Sequence, residues 1–308
     1  MKICRILSID GGGIRGIIPA VILQQIEFDL KQSSYNLFDI CAGSSAGALI
    51  VAQINALKYS ADKIVFNFTD KKIIQSMFDK HFFSAFSLLH GSKYSGKSKT
   101  KMINSIIGKG IKFTDIQKPT LITAYDLSNK TAVVFKNTGG SDTQTNPTVA
   151  EIIDASSAAP TYFPPIKING NYLVDGGIAS NDPSMCAIAY AINLGYSLNQ
   201  IKVLSLGTGY SKKQYSIRKD HVKSSQSWGE LSWLKHGIIS DLMTGNTSIS
   251  EYQSKTLLKN NHLRINPELN LASPEMDNIE PENIQHLIDT GNIAYLNNKE
   301  LIADFFKD

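Results

Sequence analysis

Three short glycine-containing segments carry the residue types that could do chemistry in this sequence. They are residues 10–16 (DGGGIRG), residues 43–47 (GSSAG) and residues 172–177 (YLVDGG). An apolar run precedes each polar residue, so Asp10, Ser45 and Asp175 each stand where a buried strand meets a glycine turn. Because open α/β sheets bind ligands at the carboxyl ends of their strands, we expect chemistry at these turns.

Ser45 has the sequence context of a nucleophile. Glycines two residues before and two after it, Gly43 and Gly47, let the chain turn sharply enough to leave the serine side chain alone at the sheet edge. A helix that begins near Ala46 would place its positive N-terminal end beside the hydroxyl, which favours developing negative charge. GxSxG also occurs as a purely structural turn, but the strand, turn and helix around it favour a reactive serine.

The base for this serine has two candidates. A triad in hydrolase order would take a histidine downstream of the aspartate. The downstream histidines, none of them within a motif, are His221, His236, His262 and His286. Asp175 itself is the other candidate, because a carboxylate that loses water binds a proton more tightly and can act as a general base. The structural alternative is an aspartate that caps its own turn at Gly176 and Gly177.

The glycine loop at residues 10–16 is suited to hold an anion. It matches G-x-G-x-x-G, the pattern of dinucleotide-binding folds, and its backbone N–H groups would converge on a pyrophosphate or on a tetrahedral oxyanion. Two features oppose a dinucleotide: Asp10 would repel pyrophosphate, and the acidic residues Glu27 and Asp29 fall at the end of a helix rather than of a second strand. A glycine turn needed only for tight packing is a further alternative, but it has no use for the charge of Arg15.

The elements around these segments predict an α/β fold. The predicted strands are 3–9, 37–42, 120–126, 131–136, 171–174 and 201–206, and the predicted helices are 17–30, 48–57, 61–79, 99–107, 148–157, 184–194, 228–243 and 281–303. Because helices separate the strands, we expect a three-layer α/β/α sandwich around a mainly parallel sheet. No Pro- or Gly-rich linker interrupts the chain, so residues 1–308 are predicted to form a single domain.

Composition and charge exclude several classes of protein. The chain has 308 residues, of which 42% are hydrophobic, which excludes a disordered, collagenous or coiled-coil protein. The formal net charge is +4, and the basic residues are spread along the chain without long runs. We therefore expect no nucleic-acid partner, and the charge mildly favours an anionic lipid surface.

Cysteine usage and the apolar runs define the expected compartment. Cys4, Cys41 and Cys186 lie in apolar stretches, and an odd number of cysteines predicts reduced core residues. Cysteines and histidines lack metal-ligand spacing, so no metal site is expected. Without a signal peptide or an apolar run of ~18 residues, the sequence predicts a soluble protein of the cytoplasm or of the peripheral membrane surface.

The three motifs, in this order and context, resemble the patatin-like phospholipases, a family of lipid acyl hydrolases. The stretches at residues 7–20, residues 156–165 (SSAAPTYFPP) and residues 203–209 (VLSLGTG) are similar to the plant patatin branch. The resemblance covers residues 3 to 210, and beyond it no motif can be matched. Ser44 and Ala46 replace threonines that plant members often carry, which leaves the turn around Ser45 intact.

The resemblance implies a catalytic dyad without histidine. Ser45 would be the nucleophile and Asp175 the base. An oxyanion hole would come from the backbone N–H groups of Gly11, Gly12 and Gly13, and Arg15 would help to hold that loop.

The same resemblance implies a reaction and its partners. Acyl esters of phospholipids or galactolipids would be hydrolysed through an acyl-serine intermediate, without calcium or another cofactor. Some bacterial members of the family are effectors that act only with a host factor, so an activating protein partner and delivery as a secreted effector remain open.

Two apolar segments are candidates for contact with lipid. Residues 82–89 (FFSAFSLL) precede a group of lysines, Lys93, Lys97, Lys99 and Lys101, and could seat on an anionic bilayer. The second segment, residues 228–239, holds two tryptophans. Core packing is the alternative for both segments.

Three functions must therefore be distinguished. They are a lipid acyl hydrolase, a nucleotide-binding oxidoreductase built on the glycine loop, and a catalytically silent lipid-binding protein. Labelling by a fluorophosphonate, retention on a nucleotide resin, and liposome binding without labelling would respectively support each of them.

Overall fold

A mixed sheet of eight strands organises the part of the chain that the computed structural model describes, residues 2–79, 91–138, 146–212, 229, 232 and 237–307. The strands are β1 (Cys4–Ile9), β2 (Ile40–Ser44), β3 (Thr120–Asp126), β4 (Thr131–Lys136), β5 (Ile166–Ile168), β6 (Asn171–Asp175), β7 (Ile201–Leu206) and β8 (His262–Ile265). Their order across the sheet is β5-β6-β3-β2-β1-β7-β8, with β4 also paired to β3.

Helices lie on both faces of this sheet. They are α1 (Ile17–Leu30), α2 (Ser34–Leu37), α3 (Ala46–Asn55), α4 (Ala61–Thr69), α5 (Lys71–Met77), α6 (Gly96–Ile107), α7 (Val149–Ser156), α8 (Gly177–Ser180), α9 (Ser184–Asn193), α10 (Ile238–Leu258) and α11 (Pro281–Phe306). Alternate residues of β1 face opposite layers: Leu7 packs in the same cluster as Ile22 of α1, and Ile6 packs with Ile188 of α9. The expected three-layer α/β/α arrangement is confirmed.

The strands at the centre of the sheet are parallel. Strands β3, β2, β1, β7 and β8 run in one direction, whereas β4 and β6 run antiparallel to β3 and β5 runs antiparallel to β6. Five of the six residues of β1 are buried, as expected of a strand covered by helices on both faces. The predicted parallel sheet thus has an antiparallel flank, which supplies one of the residues of the candidate site.

Several element boundaries differ from those predicted. The predicted helix at 61–79 is two helices, because Asp70 interrupts it and its carboxylate accepts the N–H groups of Lys72 and Ile73 at 3.0 Å to begin α5. The predicted helix at 228–243 begins among residues outside the described part, and α10 continues well past 243. Strand β8 was not predicted, because two of its four residues, His262 and Arg264, are polar and the segment therefore lacks the apolar run that indicates a buried strand.

Candidate active site

Strand β3 brings the ends of β2 and β6 together. Because β4 pairs with β3 along almost its whole length, β2 and β6 must share the other side of β3. The last residue of β2, Ser44, pairs with Thr123. The last residue of β6, Asp175, pairs with Ala124, which is the next residue of β3. Since β2 is parallel to β3 and β6 is antiparallel, the carboxyl ends of β2 and β6 face each other. Ser45 directly follows the last residue of β2, and Asp175 is the last residue of β6.

Ser45 occupies a sharp turn between β2 and α3. Its backbone has φ 52° and ψ −116°, a conformation that a residue with a side chain rarely adopts. The flanking glycines allow this turn, since a Cβ on Gly43 would overlap the backbone of Gly47, and a Cβ on Gly47 would overlap the carbonyl oxygen of Ile9. The serine is 7% exposed, and α3 begins at the next residue. The turn has the geometry of a nucleophile elbow.

Asp175 is buried beside this serine, with 1% of its surface exposed. Its Oδ1 accepts the N–H of Gly177 at 2.7 Å, while Oδ2 is buried without a hydrogen-bond partner among the described residues. Burial raises the pKa of Asp175 to about 6, although the Ser45 hydroxyl, the Gly177 N–H and the charge of Lys99 each act to lower it. At neutral pH this carboxylate is therefore ionised and keeps one oxygen free to accept a proton.

The glycine loop after β1 packs against the nucleophile. A Cβ placed on Gly11 would lie 3.0 Å from Cβ of Ser45 and 2.6 Å from Oδ1 of Asn181, so a side chain here would have to displace a neighbour. The N–H of Gly11 donates to the carbonyl oxygen of Asn181 at 3.3 Å. The N–H groups of Gly12 and Gly13, by contrast, have no acceptor among the residues that the structure describes. The loop, in which Gly11 packs against Ser45, thus has two N–H donors without an acceptor among the described residues.

The carbonyl groups of the loop are held on the opposite side. Thr208 Oγ1 donates to the carbonyl oxygen of Gly11 at 2.9 Å. Arg15 Nε donates to the carbonyl oxygen of Gly12 at 3.4 Å, and its Nη1 reaches the carbonyl oxygen of Gly209 at 3.3 Å. In a trans peptide the C=O and N–H point in opposite directions, so Thr208 fixes the N–H of Gly12 and Arg15 fixes the N–H of Gly13.

Asp10, the residue before the loop, is paired rather than free. Arg264 of β8 donates to both of its carboxylate oxygens, at 2.8 and 2.6 Å, and also donates to Ser205 Oγ. Burial works against the charged guanidinium, but the Asp10 carboxylate outweighs it and raises the pKa of Arg264. The charge of Asp10 is therefore balanced, and the repulsion of an anion predicted from the sequence is offset.

A cavity of about 520 Å³ opens beside the loop. One wall contains Gly11 and Arg15, and the facing wall is a polar stripe of α10 that includes Thr244 and Thr247. Helix α10 also covers the turn after Asp175: Asn246 Nδ2 donates to the carbonyl oxygen of Gly177 at 2.7 Å. The C-terminal part of the chain, in which the sequence shows no motif, thus forms one side of the site.

The histidines of the triad alternative divide between two groups. His262 on β8 and His286 on α11 make no hydrogen bond with Ser45 or Asp175 among the described contacts. His221 and His236 lie outside the described residues. Within residues 2–79, 91–138, 146–212 and 237–307, no three acidic, histidine or cysteine side chains are grouped to hold a metal ion.

The expected lipid-contact surfaces fall largely outside the described residues. This applies to residues 82–89 and to most of residues 228–239. The expectation that Lys99 lies on the surface with its neighbours is wrong: its side chain faces inward and is buried, whereas Lys97 and Lys101 of the same helix are exposed. None of the described helices is both long and apolar enough to span a bilayer.

The site contains residues whose roles the sequence did not indicate. Thr208 and Ser156 lie in stretches that resemble plant patatins, but nothing in those stretches assigned them a contact. Ser156 Oγ accepts the N–H of Ser45 at 3.0 Å. The carbonyl of Asn181 and the guanidinium of Arg264 reach the loop from distant parts of the chain, and no local pattern could reveal them.

Comparison with known proteins shows the family to which this chain belongs. The model of the patatin-like phospholipase family matches residues 7–188, and the chain belongs to this family. It is 33% identical over 273 residues to Patatin-like protein 2 of Arabidopsis thaliana, with 75% of this chain and 65% of that protein covered. It is 28% identical over 328 residues to Patatin-04/09 of Solanum tuberosum, with 93% and 82% covered. The family resemblance predicted from the motifs is confirmed.

A solved structure shows the same fold at low sequence identity. VipD from Legionella pneumophila superposes with a TM-score of 0.54 and 14% identity, over 99% of this chain and 67% of that one. The chain spans just under two thirds of the Arabidopsis relative, at 65% of its length.

Proposed function

We propose that the protein is a lipid acyl hydrolase that cleaves acyl esters of phospholipids or galactolipids through an acyl-serine intermediate. The observation that carries the proposal is the pairing of Ser45, in a strained elbow, with a buried carboxylate at Asp175. The raised pKa of Asp175, about 6, makes it a stronger base than an exposed aspartate while leaving it ionised at neutral pH. Membership of the patatin-like phospholipases supports the choice of lipid esters.

The acylation step needs a base and a site for negative charge. Ser45 Oγ attacks the ester carbonyl carbon while Asp175 takes the hydroxyl proton. The carbonyl oxygen becomes an oxyanion that accepts the N–H groups of Gly12 and Gly13; this role is supported by their lack of an acceptor among the described residues. When the tetrahedral intermediate collapses, the bond to the alcohol breaks, and Asp175 gives its proton to the departing alkoxide.

Deacylation repeats these roles with water. Asp175 accepts a proton from a water molecule as the water oxygen attacks the acyl carbon. The same two N–H groups stabilise the second oxyanion, and Asp175 then returns the proton to Ser45 Oγ as the fatty acid leaves. In this scheme the partner is a lipid or a membrane surface, and the reaction uses neither nucleic acid nor cofactor.

Labelling of the serine tests the proposal against its alternatives. A fluorophosphonate should label the purified protein and not Ser45→Ala, and the labelled protein should lose hydrolysis of a short soluble ester. Liposome binding without labelling would instead support a silent lipid-binding protein, and nucleotide-resin retention without labelling would support an oxidoreductase. If labelling and hydrolysis appear only after a cell extract is added, an activating partner is required.

A further inference from the structure

The ammonium of Lys99 lies in the core near the candidate site. Its side chain is 0% exposed, and Nζ pairs with Asp154 Oδ1 at 2.8 Å. Burial lowers the pKa of Lys99, and the Asp154 carboxylate opposes this. A buried ion pair generally adds little stability compared with apolar residues of the same volume, so folding alone does not account for a lysine here.

The contacts of Lys99 converge on the C-terminal end of α7. Nζ also donates to the carbonyl oxygen of Asp154 at 2.6 Å and to Ser157 Oγ at 3.2 Å. The last carbonyl groups of a helix carry partial negative charge, which favours a cation at this end. The ammonium thereby fixes the chain where it leaves α7.

The residues that follow bind both members of the proposed dyad. Ser156 Oγ accepts the N–H of Ser45 at 3.0 Å. The carbonyl oxygen of Ser156 accepts the N–H of Gly176 at 3.2 Å, and that of Ala158 accepts the N–H of Asp175 at 3.1 Å. The turn at residues 156–158 is therefore a common support for the nucleophile and the base.

The charge of Lys99 also reaches the base. It lowers the pKa of Asp175, against the effect of burial, and the groups that act with it are the Ser45 hydroxyl and the Gly177 N–H. Among the described residues, the other charged group beside Lys99 is Asp154, which is paired with the ammonium. Removing the lysine charge should therefore make Asp175 harder to ionise.

We infer that Lys99 is a positioning residue for the proposed dyad, because its ammonium holds the turn at residues 156–158 that anchors both Ser45 and Asp175. The inference rests on the proposed function. It predicts that a change at a buried side chain on α6 alters turnover and its pH dependence without altering substrate binding.

Lys99→Met keeps the length of the side chain and removes its charge. On a short soluble ester, kcat should fall by ~10- to 100-fold with KM nearly unchanged, because small displacements of reacting groups have effects of this size. The acid limb of the pH profile of kcat/KM should also move to higher pH. Lys109→Met, at an exposed position just after the C-terminal end of the same helix, should leave kcat, KM and the pH profile as in the unchanged protein.

Two further variants keep the test informative if Lys99→Met does not fold. Lys99→Met leaves Asp154 buried without a counter-charge, so Lys99→Met with Asp154→Asn is measured beside it and should show the same loss. Ser156→Ala removes only the acceptor of the Ser45 N–H and should lower kcat without changing KM. Circular dichroism and thermal melting show which of the variants are folded.

The outcomes separate the inference from the function on which it rests. A folded lysine variant with unchanged kcat and pH profile would overturn the inference while the unchanged protein still hydrolyses the ester. If neither lysine variant folds, unchanged turnover in Ser156→Ala would overturn it, and a loss of turnover there would support it. Failure of the unchanged protein to hydrolyse esters or to react with fluorophosphonate would overturn the proposed function and the inference together.

Discussion

Ser45 and Asp175 meet because two strands end head to head along one side of a third. Ser44 and Asp175 pair with consecutive residues of β3, Thr123 and Ala124. The separation of the proposed nucleophile and base is thus fixed by the register of a buried strand rather than by loops. Such a frame is rigid, as the pre-organised geometry of a reactive pair requires.

The dyad predicts which replacements abolish activity. Ser45→Ala and Asp175→Asn should each reduce ester hydrolysis to near background, because one removes the nucleophile and the other its base. His262→Ala and His286→Ala should retain most of the turnover, measured as kcat on a soluble ester. A loss of ~10³-fold or more in a folded histidine variant, including variants of His221 or His236, would replace the dyad with a triad.

Asp175 predicts opposite effects of pH on activity and on stability. Its pKa is raised in the folded protein from 3.8 to about 6. The folded state therefore binds more protons than the unfolded state between these values, and stability falls as pH rises through that range. Activity should rise over the same range, since only the carboxylate can act as the base.

Asp175→Asn removes the unfavourable free energy of burying a charged carboxylate at neutral pH. The amide oxygen can still accept the N–H of Gly177, so the variant should be more stable at pH 7 by up to ~3 kcal/mol, converted from the pKa shift. The difference should shrink toward zero below about pH 3, where the aspartate is largely protonated in both states. Thermal melting at both pH values measures this, and an equal or lower melting temperature at pH 7 would argue against a strained, buried charge.

Thr208 predicts an effect on turnover from outside the motifs. Thr208→Val keeps the shape of the side chain but releases the carbonyl oxygen of Gly11, so the peptide that carries the N–H of Gly12 is no longer fixed. We expect kcat to fall by ~10-fold with little change in KM, somewhat less than removal of a whole oxyanion donor. Thr256→Val, which removes a helical side-chain hydrogen bond on the exposed face of α10, is the matched control. Equal kinetics for the two variants would refute this role.

Gly12 predicts a larger effect at the same place. A Cβ on Gly12 would overlap the Thr208 side chain, so Gly12→Ala must displace the loop or the threonine. Turnover should fall by about two decades, or ~3 kcal/mol, as for loss of an oxyanion-hole donor elsewhere. Binding should change less. If the variant instead raised KM and kept kcat, the loop would bind substrate rather than stabilise the oxyanion.

The local parts of this site could be predicted from the sequence. Ser45 with its flanking glycines and Asp175 with its glycine turn are contiguous patterns, and the physical demands of a sharp turn restrict the residues that fill them. The expected layers of helices and strands followed from apolar periodicity for the same reason. The antiparallel direction of β6 relative to β3 was not predictable, because the direction of a strand depends on its pairing partners across the sheet.

The contacts that complete the site are long-range. Thr208 binds a carbonyl group 197 residues earlier, and Arg264 binds a carboxylate 254 residues earlier. The lysines near Lys99 in the sequence favoured a solvated group of lysines. In the structure Lys99 is buried instead, and its charge is paired with Asp154 of another helix. The residues around a polar side chain in the sequence do not indicate which distant residues it will contact.

The ion pair between Asp10 and Arg264 joins the start of the glycine loop to the strand at the edge of the sheet. The family match ends at residue 188, yet Arg264 lies on β8, at the outer edge of the sheet. A fragment that stops before β8 would retain every recognised motif but leave the Asp10 carboxylate buried with no counter-charge, directly in front of the glycine loop. The part of the chain that the family model matches therefore lacks the counter-charge of Asp10, and its glycine loop depends on a strand from the C-terminal third of the chain.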